Sequence, residues 1–196
     1  NLMTKVAILG CGWLGLPLAM HLLKSGFIVH GSTTSIEKKI ELEKGGIKSF
    51  LVNLDSLDIS LEEFLDVDEL IITIPPKMEF YAESIEKLIS KIESSSIKRV
   101  IYTSSISVYG NTTGIISEDS ATKPTRETAK QVLAVEQLLL KNLSFKTNII
   151  RFGGLIGKNR HPAFHLSNKT LKKANDLINL IHLEDCIGII QTILKS

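Results

Sequence analysis

Lys5-Val6-Ala7-Ile8-Leu9 is a short apolar run that passes directly into Gly10-Cys11-Gly12-Trp13-Leu14-Gly15. The glycines are spaced G-x-G-x-x-G, and a helical pattern follows from Leu14 to Lys24, with Gly26 as its stop. Nothing else in the chain restricts its fold as much. Gly10 permits the tight turn off the strand, Gly12 lets the backbone approach a pyrophosphate, and Gly15 lets the helix pack closely on the strand. Phosphate would rest on free N–H groups at the helix start, where the macrodipole favours an anion. Pro17 fits, because the first turn of a helix can spare that N–H. The plain alternative is three glycines that merely shape a turn. Against it stands the context, a strand before and a helix after in the first loop of the chain, which dinucleotide binding requires. The expected binding residues are Gly10, Cys11, Gly12, Trp13, Leu14 and Gly15.

The same alternation continues downstream. Strand patterns are expected over residues 27–30, 48–53, 69–74, 98–103 and 145–152, with a short one at 177–182. Helices are expected over 36–44, briefly from Ser60, then over 79–93, 127–141 and 183–194. The stretch 157–173 reads as irregular and is basic in its first part. Strands alternating with helices predict a Rossmann-type, doubly wound α/β fold: a parallel sheet covered on both faces, in one domain over 1–196. Right-handed crossovers would gather the ligand at the carboxyl ends of the strands. Those ends are the Gly10 loop, the turn Ser32-Thr33-Thr34, Pro75-Pro76, Ser104-Ser105 and Gly153-Gly154, and Ser32, Thr33, Thr34, Ile74, Pro75, Pro76, Thr103 and Ser104 are the further expected cofactor contacts.

Bulk properties narrow the class of ligand. The 196 residues are 43% apolar and 22% charged, with a formal net charge of +2 and scattered lysines. That excludes a basic nucleic-acid stripe and a membrane-binding face, and leaves small molecules as partners. No apolar run approaches the length of a membrane span. Cys11 and Cys186 lie far apart without metal-ligand spacing, so both are expected as reduced thiols in a cytoplasmic protein that holds no metal. The first strand begins almost at the N-terminus, which leaves no room for a signal peptide, and Met3 is the expected natural start.

The second strand carries a hint about the dinucleotide. A protein that binds NAD commonly places Asp or Glu near that strand's end to hold the ribose hydroxyls. Here the turn is Gly31-Ser32-Thr33-Thr34-Ser35, with no carboxylate before Glu37. Hydroxyls and backbone N–H groups accept a 2′-phosphate that an acid would repel, and Lys38 and Lys39 follow. NADP is therefore expected in preference to NAD, unless these residues are only turn formers and helix caps.

The fifth strand runs into Tyr102-Thr103-Ser104-Ser105-Ile106-Ser107-Val108-Tyr109-Gly110. This resembles the S-S-x-x-V-Y-G signature of the extended short-chain dehydrogenase/reductase superfamily, the NAD-dependent sugar-nucleotide epimerases and dehydratases. Glu118-Asp119 with Pro124, the helix around Val132-Leu133-Ala134-Val135-Glu136-Gln137, Ile150-Arg151-Phe152-Gly153-Gly154-Leu155-Ile156-Gly157 and Asn179-Leu180-Ile181-His182-Leu183-Glu184-Asp185 resemble further family segments in order. The glycine spacing, in place of the family's G-x-x-G-x-x-G, points to an atypical branch. The resemblance implies a dinucleotide cofactor, a small sugar, polyol or carbonyl substrate, and Ser105 as the residue orienting the substrate oxygen. A homodimer is compatible with it.

In that family a Tyr and a Lys in Y-x-x-x-K complete the reaction, the Lys lowering a phenol pKa that is ordinarily about 10. Aligning the helix on Glu136 puts Thr128 at the tyrosine position and Val132 at the lysine position. Tyr109 and Lys130 are the candidates for a rearranged pair; otherwise Tyr109 packs and Lys130 faces solvent. Arg160 is the candidate clamp for a substrate phosphate or carboxylate, in a remnant of the substrate-binding region over about 155–196. His21, His30 and His182 read as structural or packing residues, and Asp185 as a helix-start acid. Two functions stand: an epimerase/dehydratase-like oxidoreductase, and a non-catalytic dinucleotide-binding sensor or interaction protein.

Overall fold

The computed structural model describes residues 3–58, 60–77, 79–167 and 177–196. Its elements are β1 (Lys5–Leu9), α1 (Gly15–Lys24), β2 (Ile28–Thr33), α2 (Ile36–Lys44), β3 (Lys48–Leu51), α3 (Ser60–Phe64), β4 (Glu69–Ile72) and α4 (Tyr81–Glu93). They continue with β5 (Arg99–Ser105), a 3-10 turn (Ile106–Tyr109), α5 (Glu127–Lys141), β6 (Lys146–Phe152), β7 (Gly154–Ile156), α6 (Pro162–Leu166), β8 (Leu180–His182) and α7 (Leu183–Leu194). Six strands form one sheet in the order β3-β2-β1-β4-β5-β6. The pairings of β1 with β2 and β4, of β2 with β3 and of β4 with β5 are all parallel. This is the Rossmann-type doubly wound α/β fold, with its order reversing between β1 and β4.

The chain divides into two compact units, residues 1–151 and 152–196. In the first, Ala7 and Leu9 of β1, Leu70 and Ile72 of β4, and Val100 and Tyr102 of β5 share a core with Ile85, Leu88 and Ile92 of α4 and Val132, Val135 and Leu139 of α5. Val6, Ile8, Ile71 and Ile101 alternate with these along the strands and are equally buried, so both faces of the sheet are covered. The alternation of apolar strands with amphipathic helices is what the sequence pattern demanded. In the second unit, β7 and β8 pair in parallel, with Gly154 opposite Leu180 and Ile156 opposite His182. His182 is an exposed N-cap rather than a packing residue: its Nδ1 accepts the Glu184 N–H at 3.3 Å, and Asp185 lies in the first turn of α7.

Several boundaries depart from expectation for physical reasons. Ser32 and Thr33 are strand residues paired with Phe50 and Leu51, not turn residues, and β5 likewise extends through Ser104 and Ser105. Short hydroxylic side chains at strand ends bond neighbouring backbone without breaking the ladder. The fourth strand stops at Ile72 rather than 74, and α4 starts at Tyr81 rather than 79 because Phe80 takes a left-handed φ of 57°. The 157–173 stretch holds the short helix α6, capped by His161; its residues 168–173 lie outside the described residues. No helix among the described residues is long and apolar enough to cross a membrane.

Candidate cofactor cleft and reaction centre

Three glycines of one loop prove to have unlike surroundings. Gly10 has φ +102°, and a Cβ there would lie 2.8 Å from Ile74 Cγ1. A Cβ on Gly15 would collide with the Gly10 carbonyl oxygen. Both glycines are required by the fold itself. Gly12 is different: its φ is ordinary, and a Cβ there would meet nothing within 4 Å. Packing thus places no demand for a glycine at this exposed position. The adjoining α1 begins without a side-chain cap and without an acid in its first turn, whereas α2 has Ser35 and Glu37 in those roles. The Leu16 N–H bonds the Gly12 carbonyl at 2.9 Å, the Leu18 N–H bonds that of Leu14 at 3.1 Å, and Pro17 has no N–H, so backbone rather than a side chain closes this helix start.

Hydroxyl side chains brace this loop from beneath. The Gly10 N–H donates to Ser32 Oγ at 2.9 Å and the Cys11 N–H to the Ser32 carbonyl at 2.8 Å. Thr73 Oγ1 donates to the Gly10 carbonyl at 2.6 Å, and Thr103 Oγ1 to that of Ile72 at 3.0 Å. The strand ends expected to meet a cofactor are therefore stitched together in the first unit. Ser32 is buried and spends its hydroxyl on Gly10, and buried Thr33 accepts the Ser35 N–H at 3.2 Å. Neither is a free hydroxyl in an exposed turn; Thr34, Glu37 and Lys38 are exposed there. Ser35 caps α2 and donates to Glu37 at 2.7 Å, and that bond is the main cause holding the Glu37 carboxyl below its usual range. Burial pushes the Cys11 thiol up to about 12, so it remains protonated. Leu14 is buried, while Trp13 is half-buried.

On the far side of the loop, Ile74 abuts Gly10, and its carbonyl accepts the Tyr81 hydroxyl at 2.9 Å. Tyr102 donates in turn to Tyr81, the two oxygens 3.1 Å apart. Burial pushes Tyr81 up to about 12 and Tyr102 higher still, so both phenols stay neutral. Pro75 is exposed and Pro76 half-buried beside them. At the end of β5, half-buried Ser105 accepts the Ser107 N–H at 3.1 Å and so caps the 3-10 turn.

No family model matches the chain. Protein YeeZ of Escherichia coli K12 is 36% identical to it over an alignment of 205 positions that covers 99% of this chain and 74% of that protein. YeeZ of E. coli O157:H7 matches to the same extent. The chain belongs to the YeeZ family. Among solved structures, UDP-glucuronic acid 4-epimerase from Bacillus cereus, in complex with UDP-glucuronic acid and NAD, superposes with a TM-score of 0.80 at 21% identity, covering 98% of this chain and 73% of the epimerase. A putative NAD-dependent epimerase/dehydratase from Methylobacillus flagellatus superposes at 0.76 with 22% identity, covering 99% and 71%. At these identities the likeness is one of fold: this YeeZ-family chain has the architecture of NAD-dependent epimerases and dehydratases.

The region around Ser105 in this YeeZ-family member is where sequence and structure differ most. Thr128 is exposed and Val132 buried, the two residues expected from the sequence at the tyrosine and lysine positions. Tyr109 and Lys130 have separate partners: Arg151 Nη1 donates to the buried Tyr109 hydroxyl at 2.7 Å, while exposed Lys130 lies 3.9 Å from Glu127. Ser104, expected to face the cofactor, is buried and donates its hydroxyl to Glu136. Glu136 is 1% exposed and also takes a two-pronged ion pair from Arg151, Nε to Oε1 at 3.0 Å and Nη2 to Oε2 at 2.7 Å. That pairing, more than any other cause, holds the Arg151 guanidinium above its ordinary pKa. The buried Glu136–Arg151 pair has a signal in the sequence on the side of Glu136. That residue lies four residues after Val132 and three before Leu139, on the buried stripe of its helix, where a carboxylate must find a cation. In the second unit, Arg160 closes a tight turn with Gly157, their backbones exchanging bonds of 3.0 and 3.2 Å.

Proposed function

We propose that this chain binds a nicotinamide dinucleotide in the glycine-loop cleft and acts as an epimerase/dehydratase-like oxidoreductase on a small sugar, polyol or carbonyl compound. The observation that carries the reading is Gly12, a glycine the fold does not require, standing over open space at a helix start without a side-chain cap. The backbone of Gly12 and Trp13 and the positive end of the α1 dipole would hold the pyrophosphate, and Ile74, Pro75, Pro76 and Thr103 would border the nicotinamide side. The cofactor when bound supplies a hydride acceptor or donor. Ser105 orients the substrate oxygen. UDP-glucuronic acid 4-epimerase, of the same fold, binds NAD and a sugar nucleotide. NADP is the form favoured by Thr34 and Lys38, against the ionised Glu37 of the same turn. A cytoplasmic protein, able to form a homodimer and without nucleic-acid or membrane partners, fits this reading.

Thr128 and Val132 favour a second reading, a dinucleotide-binding sensor without turnover, because neither side chain can supply or activate a phenol. One experiment separates the two. Trp13 is the chain's single tryptophan and lies in the glycine loop, so its emission should be quenched by NADH or NADPH. Saturable quenching with turnover of some member of a carbonyl panel, lost in Ser105→Ala, is the enzyme's signature. Quenching without turnover is the sensor's, and no quenching by either nucleotide removes both.

A further inference from the structure

The segment from Ser104 to Tyr109 is held at both ends by one buried charge pair. At its start, Ser104 donates to the Glu136 carboxylate. At its finish, the Tyr109 hydroxyl takes the third arm of the guanidinium that Glu136 already binds with two. The Arg151 guanidinium carbon also lies 5.0 Å from the Tyr109 ring centroid, and its Nη1 reaches the Glu118 carbonyl at 3.4 Å. All these groups belong to the first unit, and they draw α5, β5, the 3-10 turn and the loop after it onto one point. Between the two anchors lies Ser105, half-buried, with its oxygen fixed by the Ser107 N–H. A carboxylate and a guanidinium taken out of water add little net stability when paired, but they define one geometry sharply, because any other leaves a buried charge without a partner.

We propose that Glu136 and Arg151 are positioning residues for Ser105: the pair clamps both ends of its segment and so sets where the Ser105 hydroxyl stands at the carboxyl edge of the sheet. The inference rests on Ser105 being the substrate-orienting residue. It assigns a task to two residues that neither touch the cofactor cleft nor replace the missing Tyr and Lys.

The test compares amide hydrogen exchange, residue by residue, in the wild-type chain and in Arg151→Lys and Glu136→Gln. The lysine keeps the charge but loses the planar fork, and the glutamine keeps the shape but loses the charge. The expected result is exchange at least about tenfold faster at the Ser107 and Gly110 amides, which bond Ser105 Oγ and the Ser107 carbonyl, with the β1 and β4 amides unchanged. Unchanged protection at Ser107 and Gly110 in both variants overturns the proposal. So does a parallel rise at every amide, which is what a merely structural role gives. Should Glu136→Gln fail to fold, Arg151→Lys together with Tyr109→Phe, which removes only the anchoring hydroxyl, gives the same contrast. Titration of the wild-type chain with NADH is run beside it. Absence of quenching there removes the functional reading, while the exchange pattern still decides whether the pair holds the segment.

Discussion

The two ends of the candidate site are built from different materials. Around Gly10 the chain uses backbone and neutral hydroxyls: Ser32, Thr73 and Thr103 each tie a strand end to its neighbour. Around Ser105 it uses a buried carboxylate, a guanidinium and a phenol. A neutral, backbone-built loop suits a ligand that brings its own negative charge and needs open N–H groups. A charge-built anchor suits a short segment whose side chain must not drift. The contrast predicts that the two ends fail differently when altered.

The largest effect is expected at the charged end. Arg151→Met leaves Glu136 buried without a cation and should destabilise the chain by about 3–5 kcal/mol. Urea melts of Arg151→Met beside Glu136→Leu/Arg151→Met measure this, and the double variant should recover most of the loss because no charge remains buried. A double variant no better than the single one would mean that packing, not charge, holds this end.

At the neutral end the effect should divide between two glycines three residues apart. Gly15→Ala drives a methyl group into the Gly10 carbonyl and should cost about 1–3 kcal/mol, as overpacking does. Gly12→Val has open space for its side chain, so its melting temperature should stay near that of the wild type while quenching of Trp13 by NADH disappears. Equal destabilisation by both would erase the distinction between a glycine the fold needs and one the ligand needs.

How much of this was legible beforehand follows the same divide. The glycine spacing, the strand–helix alternation and the crossovers are written in local periodicity, so β1, α1, α2 and α5 could be read from the chain. The braces were not. Ser32, Thr33, Ser104 and Ser105 carry turn-forming side chains, and only neighbouring parallel strands make them strand residues whose hydroxyls bond groups nearby. Glu136 and Arg151 are 15 residues apart in different elements, and no spacing rule joins them. Tyr109 was recognised, but its partner was sought at Lys130, which is closer in sequence and turns to solvent.

A smaller, pH-dependent effect should come from the neutral end alone. His30 of β2 is buried against Phe50, ring centroids 5.2 Å apart, with Nδ1 3.2 Å from the Phe64 carbonyl. Burial is the main cause that lowers its pKa, with Lys48 and Lys5 adding to it and the Phe64 carbonyl and Asp66 opposing. The unfolded chain, with His near 6.5, therefore binds more protons than the folded one at pH values below about 6.5. Stability should be complete above that pH and fall as acid protonates the ring. Urea midpoints at pH 7.5 and 5 in wild type and His30→Gln test this; the variant should lose that part of the acid sensitivity which His30 contributes.

The smallest change is expected at Lys130, and it bears directly on the chemistry. Its ammonium is exposed and faces Glu127 across one turn of α5, so Lys130→Ala should alter stability by no more than about 0.5 kcal/mol. Near-ultraviolet circular dichroism sharpens the comparison, because the other two tyrosines are bonded to each other and lie apart from this substitution in the hydrogen-bond network. Lys130→Ala should leave the tyrosine band as it is, and Arg151→Lys should change it through Tyr109. A band that moves with Lys130 instead would restore the rearranged Tyr–Lys pair and make Tyr109 an acid–base candidate. A band that moves only with Arg151 leaves the phenol as an anchor, and proton transfer in any reaction at Ser105 must then come from another group.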